Sequence, residues 1–142
     1  MFLSGLALSV QSGVNGELGK RLGSWEGAFF SFFIGTVALT LFLLFFGKGN
    51  LLEVFRVPKW QLTGGLLGAA YITAMVIAVP KLGVGMSVVT VIVGQIISSL
   101  VIDHFGWFGR AAIPFDWNRA IGVILLLAGL GFIFRGSFKF LS

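Results

Sequence analysis

The chain has 142 residues, 57% of them hydrophobic and only 11% charged, with a mean hydropathy of +1.02. A soluble domain of this size cannot hide so much apolar surface, and the same composition excludes a disordered chain. The net charge of +5 comes from basic residues scattered between apolar runs, which is membrane-flanking charge rather than a nucleic-acid-binding face, and the absence of cysteine removes disulfide frameworks and thiolate sites.

The uncharged runs set the elements, because a helix needs about 20 residues to cross the hydrocarbon core. The first is expected over residues 1–18, with Gln11 and Asn15 interrupting its apolar run. It has no basic n-region and no A-x-A-like site, so it reads as a helix rather than a cleaved signal. Residues 27–47 form an uninterrupted second run between Glu26 and Lys48. Residues 60–80 and 82–102 form the third and fourth, parted only by Lys81, and Pro80-Lys81-Leu82-Gly83 offers breaker chemistry for a tight hairpin between them. The fifth is expected over 117–134, with Arg119 snorkelling outward. Runs of this length exclude a β-barrel. The expectation is an all-α integral membrane bundle of five transmembrane helices, one domain over residues 1–142, whose first partner is the lipid bilayer. No nucleic-acid partner is expected.

Helix association in lipid relies on small residues that let backbones approach. Gly5, Ser9 and Gly13 form such a row on the first helix, Gly27, Ser31 and Gly35 on the second, and Gly64 with Gly68, then Ala74 with Ala78, on the third. Polar residues within the spans are the functional candidates. Gln11 and Asn15 share a face at i and i+4, and Gln95, Ser99 and Asp103 share another. Gln11 and Gln95 fall within roughly 5 Å of their helix midpoints, where their amides can bond either a polar solute or a neighbouring helix. Gln11, Asn15 and Gln95 are therefore the candidate substrate-binding residues. Glu17, near the hydrocarbon edge, either pairs with Lys20 and Arg21 or serves ion coupling. Asp103 and His104 close the fourth helix, either as a solvated or ion-paired helix end or as a proton-accepting gate. Trp25, Trp60, Trp107 and Trp117 all flank spans, as interfacial anchors do. No metal-binding, nucleotide-binding or hydrolase motif is present, so neither an enzyme nor a cofactor is expected.

Five crossings put Lys48, Arg56, Lys59, Arg110 and Arg119 on one side and Lys20, Arg21, Lys81, Arg135 and Lys139 on the other. This balance gives the positive-inside rule nothing to act on. Either a partner or lipid sets the orientation, or the chain inserts both ways. An odd-helix unit paired with an oppositely inserted copy reproduces the inverted repeats of many transporters.

Several stretches together resemble the YdcZ-type family of inner-membrane exporters in the drug/metabolite transporter superfamily. They are Gln11 through Gly19 (QSGVNGELG), Ser31 through Thr36 (SFFIGT), Trp60 through Gly68 (WQLTGGLLG), Pro80 through Gly83 (PKLG), Gly94-Gln95, Leu100 through Gly106 (LVIDHFG) and Arg119 through Gly122 (RAIG). The resemblance implies a bacterial inner-membrane, multi-pass protein: a five-helix unit corresponding to half of a ten-helix transporter. It would work as an antiparallel homodimer or with an oppositely oriented related subunit. One departure is a first helix several residues shorter than the family's, as expected either of a true start upstream of Met1 or of a trimmed chain. The expected function is transport of a small metabolite or an amphipathic or cationic compound by alternating access, with Phe29 and Phe33 as an apolar or cation–π wall. The alternative is a non-transporting membrane assembly or scaffold protein, which the near-absence of loops disfavours.

Overall fold

In the computed structural model, which describes residues 1–109 and 111–138, the apolar runs form five long helices and, among the described residues, no strand. They are α1 (Phe2–Leu22), α2 (Ser24–Phe46), α3 (Thr63–Leu82), α4 (Val84–Phe105) and α5 (Trp117–Phe138). Short 3-10 turns, Leu51–Phe55 and Lys59–Leu62, fill the connector between α2 and α3, and another, Trp107–Gly109, follows α4. Arg110 and Lys139, two of the cations counted for orientation, lie outside the described residues.

Four of the helices are long and apolar enough to cross a membrane: α2, α3 extended by the turn before it, α4 and α5. The fifth, α1, is 21 residues long. Gln11, Asn15 and Glu17 lower its hydropathy. The helices also overrun the uncharged stretches. Lys20 and Arg21 lie in the last turn of α1, Glu26 in the first turn of α2, and Lys81 in the last turn of α3. A charge at a membrane boundary does not interrupt backbone hydrogen bonding, because its long side chain reaches outward from the helix.

Two of the breaks between helices are single glycines. Gly23 (φ 109, ψ 154) separates α1 from α2, and Gly83 (φ 83, ψ 162) separates α3 from α4. This region of backbone space is essentially closed to residues with a Cβ. Each glycine N–H still closes the preceding helix, to Gly19 O at 3.0 Å and Val79 O at 2.9 Å. Pro80, expected to open the hairpin, lies inside α3. Its ring removes one backbone donor and crowds the Val76 carbonyl, yet the helix runs two residues further and breaks where the backbone changes sign.

The chain divides into two compact units, Met1–Val84 and a second from Gly85 on. In the first, α1, α2 and α3 pack mutually. Its apolar centre is Ala28, Ile72 and Val76, with Tyr71 against them. The α1 surface buried there is Ser12, Asn15, Gly16 and Gly19. A Cβ on Gly16 would lie 2.5 Å from Val79 Cγ1, and one on Gly19 would overlap Val76 Cγ1. A Cβ on Gly27 would stand 3.0 Å from Gly19 Cα, so α1 and α2 meet backbone to backbone. The packing seam is thus Ser12-Gly16 and Asn15-Gly19 rather than the Gly5-Ser9-Gly13 row. Gly5, Gly35 and Gly64 face open space.

In the second unit, α4 and α5 meet at a corner, where Asp103 near the end of α4 pairs with Arg119 in the first turn of α5. The Asp103 carbonyl accepts from Gly106 N at 3.2 Å and from Ile113 N at 2.8 Å, folding the connector back on the end of α4. Asp116 then caps α5, its Oδ1 accepting from Arg119 N at 2.8 Å.

Candidate functional site

In a helix surrounded by hydrocarbon, every polar side chain needs a protein or water partner. Several hydroxyls satisfy themselves on their own helix. Ser12 donates to Leu8 O at 2.7 Å, Thr40 to Thr36 O at 2.8 Å and Thr90 to Met86 O at 2.9 Å. Ser99, which shares a face with Gln95, donates to Ile96 O at 2.9 Å. The amides and carboxylates are the groups with the most hydrogen-bonding capacity per side chain.

Asn15 is buried in the α1 seam, and its Oδ1 accepts from Ser31 Oγ on α2 at 3.0 Å. Small neighbours make the contact possible. Gly19 and Gly27, each four residues away from a partner, bring the two backbones close enough for two short side chains to meet. Ser31 was legible only as a packing residue. Its role as the partner of Asn15 needs the register of α1 on α2, which no single-helix spacing contains.

Gln11 stands next to the midpoint of α1 and Gln95 at the midpoint of α4, and both side chains are exposed. Among the described residues, none hydrogen-bonds either amide. Gln11 and Asn15 share a helix face but not an environment. Asn15 is buried in the seam, whereas Gln11 is exposed although Ser12 beside it is buried. The two belong to the first unit, and Gln95 to the second.

The carboxylates sit at helix ends. Exposed Glu17 holds Arg21 Nε at 3.2 Å and Lys20 Nζ at 3.9 Å, the pairing its spacing allows. Half-buried Asp103 pairs with Arg119 Nη1 at 3.7 Å. Arg119 therefore turns toward α4 instead of snorkelling outward. A cation in the first turn of a helix opposes the helix dipole, and the Asp103 carboxylate offsets that penalty. His104 is exposed and meets the Phe105 ring edge-on at 5.1 Å. It borders an open, largely apolar hollow of about 440 Å³ with Ile97, Leu100, Val101, Phe105 and Phe115. On α2, Phe29 and Phe33 stack at 6.1 Å with both rings exposed. No group of three or more His, Cys, Asp or Glu that could hold a metal occurs among the described residues.

The arrangement offers three kinds of chemistry: exposed amides near the middle of two helices, a stacked aromatic pair, and ion pairs near helix ends. No curated protein and no solved structure matches the chain. A family model described as "Putative inner membrane exporter, YdcZ" matches residues 1–132, nearly the full length, in agreement with the apolar helices. The chain therefore belongs to the YdcZ family of the drug/metabolite transporters, as a multi-pass protein of the inner membrane.

Proposed function

We propose that this chain is the five-helix subunit of an exporter that moves a small amphipathic or cationic solute by alternating access, and that residues 1–142 act as one transmembrane domain paired with an oppositely inserted copy or related subunit. Gln11, Asn15 and Gln95 bind the solute near the midplane. Glu17, Asp103 and His104 stand near the mouths, where they gate the path or accept protons, and the Phe29–Phe33 pair supplies a cation–π wall.

The observation that carries this reading is the exposure of Gln11 and Gln95 beside the midpoints of their helices. An amide facing lipid tails at that depth leaves its donors and acceptor unsatisfied, at several kcal/mol. Polar residues in such positions face a bundle interior or a water-filled cavity. A second copy provides the missing walls, and the even split of the cations allows it to insert the other way up.

The test is efflux of a lipophilic cation, tetraphenylphosphonium, from proteoliposomes containing wild type, Gln11→Ala or Gln95→Ala. Loss of transport in both variants supports the site, and wild-type transport in both removes these residues from it. Cysteine accessibility at the two termini reads the assembly. Roughly equal populations in the two orientations support the inverted homodimer, and a single fixed orientation sinks it in favour of an oppositely oriented partner.

A further inference from the structure

The connector between α2 and α3 carries more exposed apolar surface than a loop in water should. It is ordered at its start. Asn50 caps the turn with its Oδ1 accepting from Leu52 N at 3.0 Å, Glu53 N donates to Asn50 O at 3.2 Å, and Arg56 N donates to Glu53 O at 2.9 Å. Residues 51–55 form a 3-10 turn, and in that geometry side chains at i and i+3 eclipse. The stretch Leu51-Leu52-Glu53-Val54-Phe55-Arg56 therefore resolves into three stripes. Leu51 lies over Val54, Leu52 over Phe55, and Glu53 over Arg56. The third stripe is closed by an ion pair at 3.6 Å. Two thirds of the circumference is apolar, and it is bare: Leu52 is 70% exposed and Phe55 84%. Lys48 and Lys59 flank the turn, and Trp60 follows it.

We propose that this connector is an interfacial segment that buries Leu51, Leu52, Val54 and Phe55 at the boundary between acyl chains and headgroups and selects anionic lipid headgroups with Lys48 and Lys59. Two observations commit it to lipid rather than to a protein. The helices on either side, α2 and α3, are both apolar enough to span, so both ends of the connector are held at the membrane–water boundary. The charge also complements an anionic surface: Lys48, Arg56 and Lys59 against the single carboxylate of Glu53, which Arg56 already holds. An apolar face beneath a cationic flank is the pattern of a helix lying in the interface plane, compressed here into two turns. This inference does not depend on what the protein transports.

The chain has no cysteine, so single cysteines can be placed at Leu52 and Phe55 on one stripe and at Glu53 and Arg56 on another. Each labelled protein is reconstituted in phosphatidylcholine vesicles with and without phosphatidylglycerol. The bimane fluorescence is then quenched by brominated lipid from within the bilayer and by iodide from the water. Labels at 52 and 55 should be quenched by brominated lipid and shielded from iodide, with the reverse at 53 and 56. Brominated phosphatidylglycerol should quench position 55 more strongly than brominated phosphatidylcholine. Lys48→Gln with Lys59→Gln should reduce that preference by about fivefold per cation removed. Equal iodide quenching at all four positions overturns the proposal, because the turn then lies in water. Shielding of 52 and 55 from both quenchers also overturns it, since a second copy or another protein then covers the stripe. An unchanged lipid preference in the double variant refutes the anionic selection.

Discussion

Substituting Gly19 by alanine tests the packing of the first unit most directly, because one methyl meets one methyl there. A Cβ on Gly19 overlaps Val76 Cγ1, while Val76 Cβ and Val76 O both stand at 3.6 Å, ordinary contact. Val76 is only 1% exposed and has no open side to turn toward. A helical valine holds about 90% of its population in one χ1 rotamer, so the clash forces either an off-rotamer side chain or a shift of α1 from α3. Overpacking of this kind costs about 1–3 kcal/mol. Alanine also gains about 0.8–1.0 kcal/mol over glycine in helix propensity, which masks part of that loss. Gly5→Ala on the same helix supplies the reference, because nothing lies within 4 Å of its Cβ. The gap between Gly19→Ala and Gly5→Ala should therefore be about 1–3 kcal/mol. Val76→Ala alone should cost about 1–2 kcal/mol for two deleted methyls. The double variant Gly19→Ala/Val76→Ala should lose no more than Val76→Ala, because the new methyl enters the vacated space and alanine keeps its propensity gain over glycine. The coupling energy should equal the relieved overpacking, about 1–3 kcal/mol. Reversible unfolding in mixed micelles with dodecyl sulfate, followed by circular dichroism, measures all four proteins. Equal effects of Gly19→Ala and Gly5→Ala, or a double variant whose loss equals the sum of the singles, would refute the assigned contact between α1 and α3.

The same unfolding assay reads three further expectations. Gly83→Ala should destabilise by about 1–3 kcal/mol, because it puts a Cβ at φ 83, ψ 162, whereas Gly85→Ala, in a helix with open space around its Cβ, should be neutral or mildly stabilising. Equal effects at the two glycines would show that the break does not depend on backbone sign. A double-mutant cycle on Asn15→Ala and Ser31→Ala should give about 0.6 kcal/mol of coupling, the average for hydrogen bonds between membrane helices, and zero coupling would mean the 3.0 Å bond is not formed in the bilayer. Removing the ion pair at the α4–α5 corner with Asp103→Asn or Arg119→Gln should cost at most about 1 kcal/mol, since both side chains are about a third exposed, and a larger loss would place the pair in a drier setting than its exposure indicates.

Helix number was legible because a run of about 20 uncharged, mostly apolar residues matches the thickness of the hydrocarbon core and little else. Helix ends were not, because charge marks where the hydrocarbon stops and not where backbone hydrogen bonding does. Hence α1 passes through Lys20 and Arg21, and α3 through Pro80 and Lys81. The small-residue rows show the same division between period and phase. Spacing of four identifies rows, but Gly5-Ser9-Gly13 and Ser12-Gly16 satisfy it equally well. What selects the second row is the size of the residues opposite: Val76 and Val79 demand glycine at 19 and 16. The pairs that matter, Asn15 with Ser31 and Asp103 with Arg119, cross between helices and so depend on a register that no single helix encodes.

The polarity of the candidate residues carries different weight in this chain than it would in a soluble one. In water an exposed glutamine is ordinary, whereas exposed valine in quantity is not. Here α2 leaves its most apolar stretch entirely unburied, which suits contact with lipid. The exposed groups at odds with their surroundings are Gln11 and Gln95, which are exposed like the phenylalanines of α2 but have opposite solvation demands. Hydrocarbon satisfies the phenylalanines and leaves the amides about as costly as unpaired backbone groups. Under the proposed function, a second subunit, a water-filled cavity or the solute completes their hydrogen bonding. The same accounting separates them from Asn15, whose carbonyl oxygen already accepts from Ser31. Of the three candidate binding residues, Asn15 is therefore the one whose substitution should affect folding as well as transport. Gln11 and Gln95 should affect transport while leaving the folding of the isolated subunit unchanged.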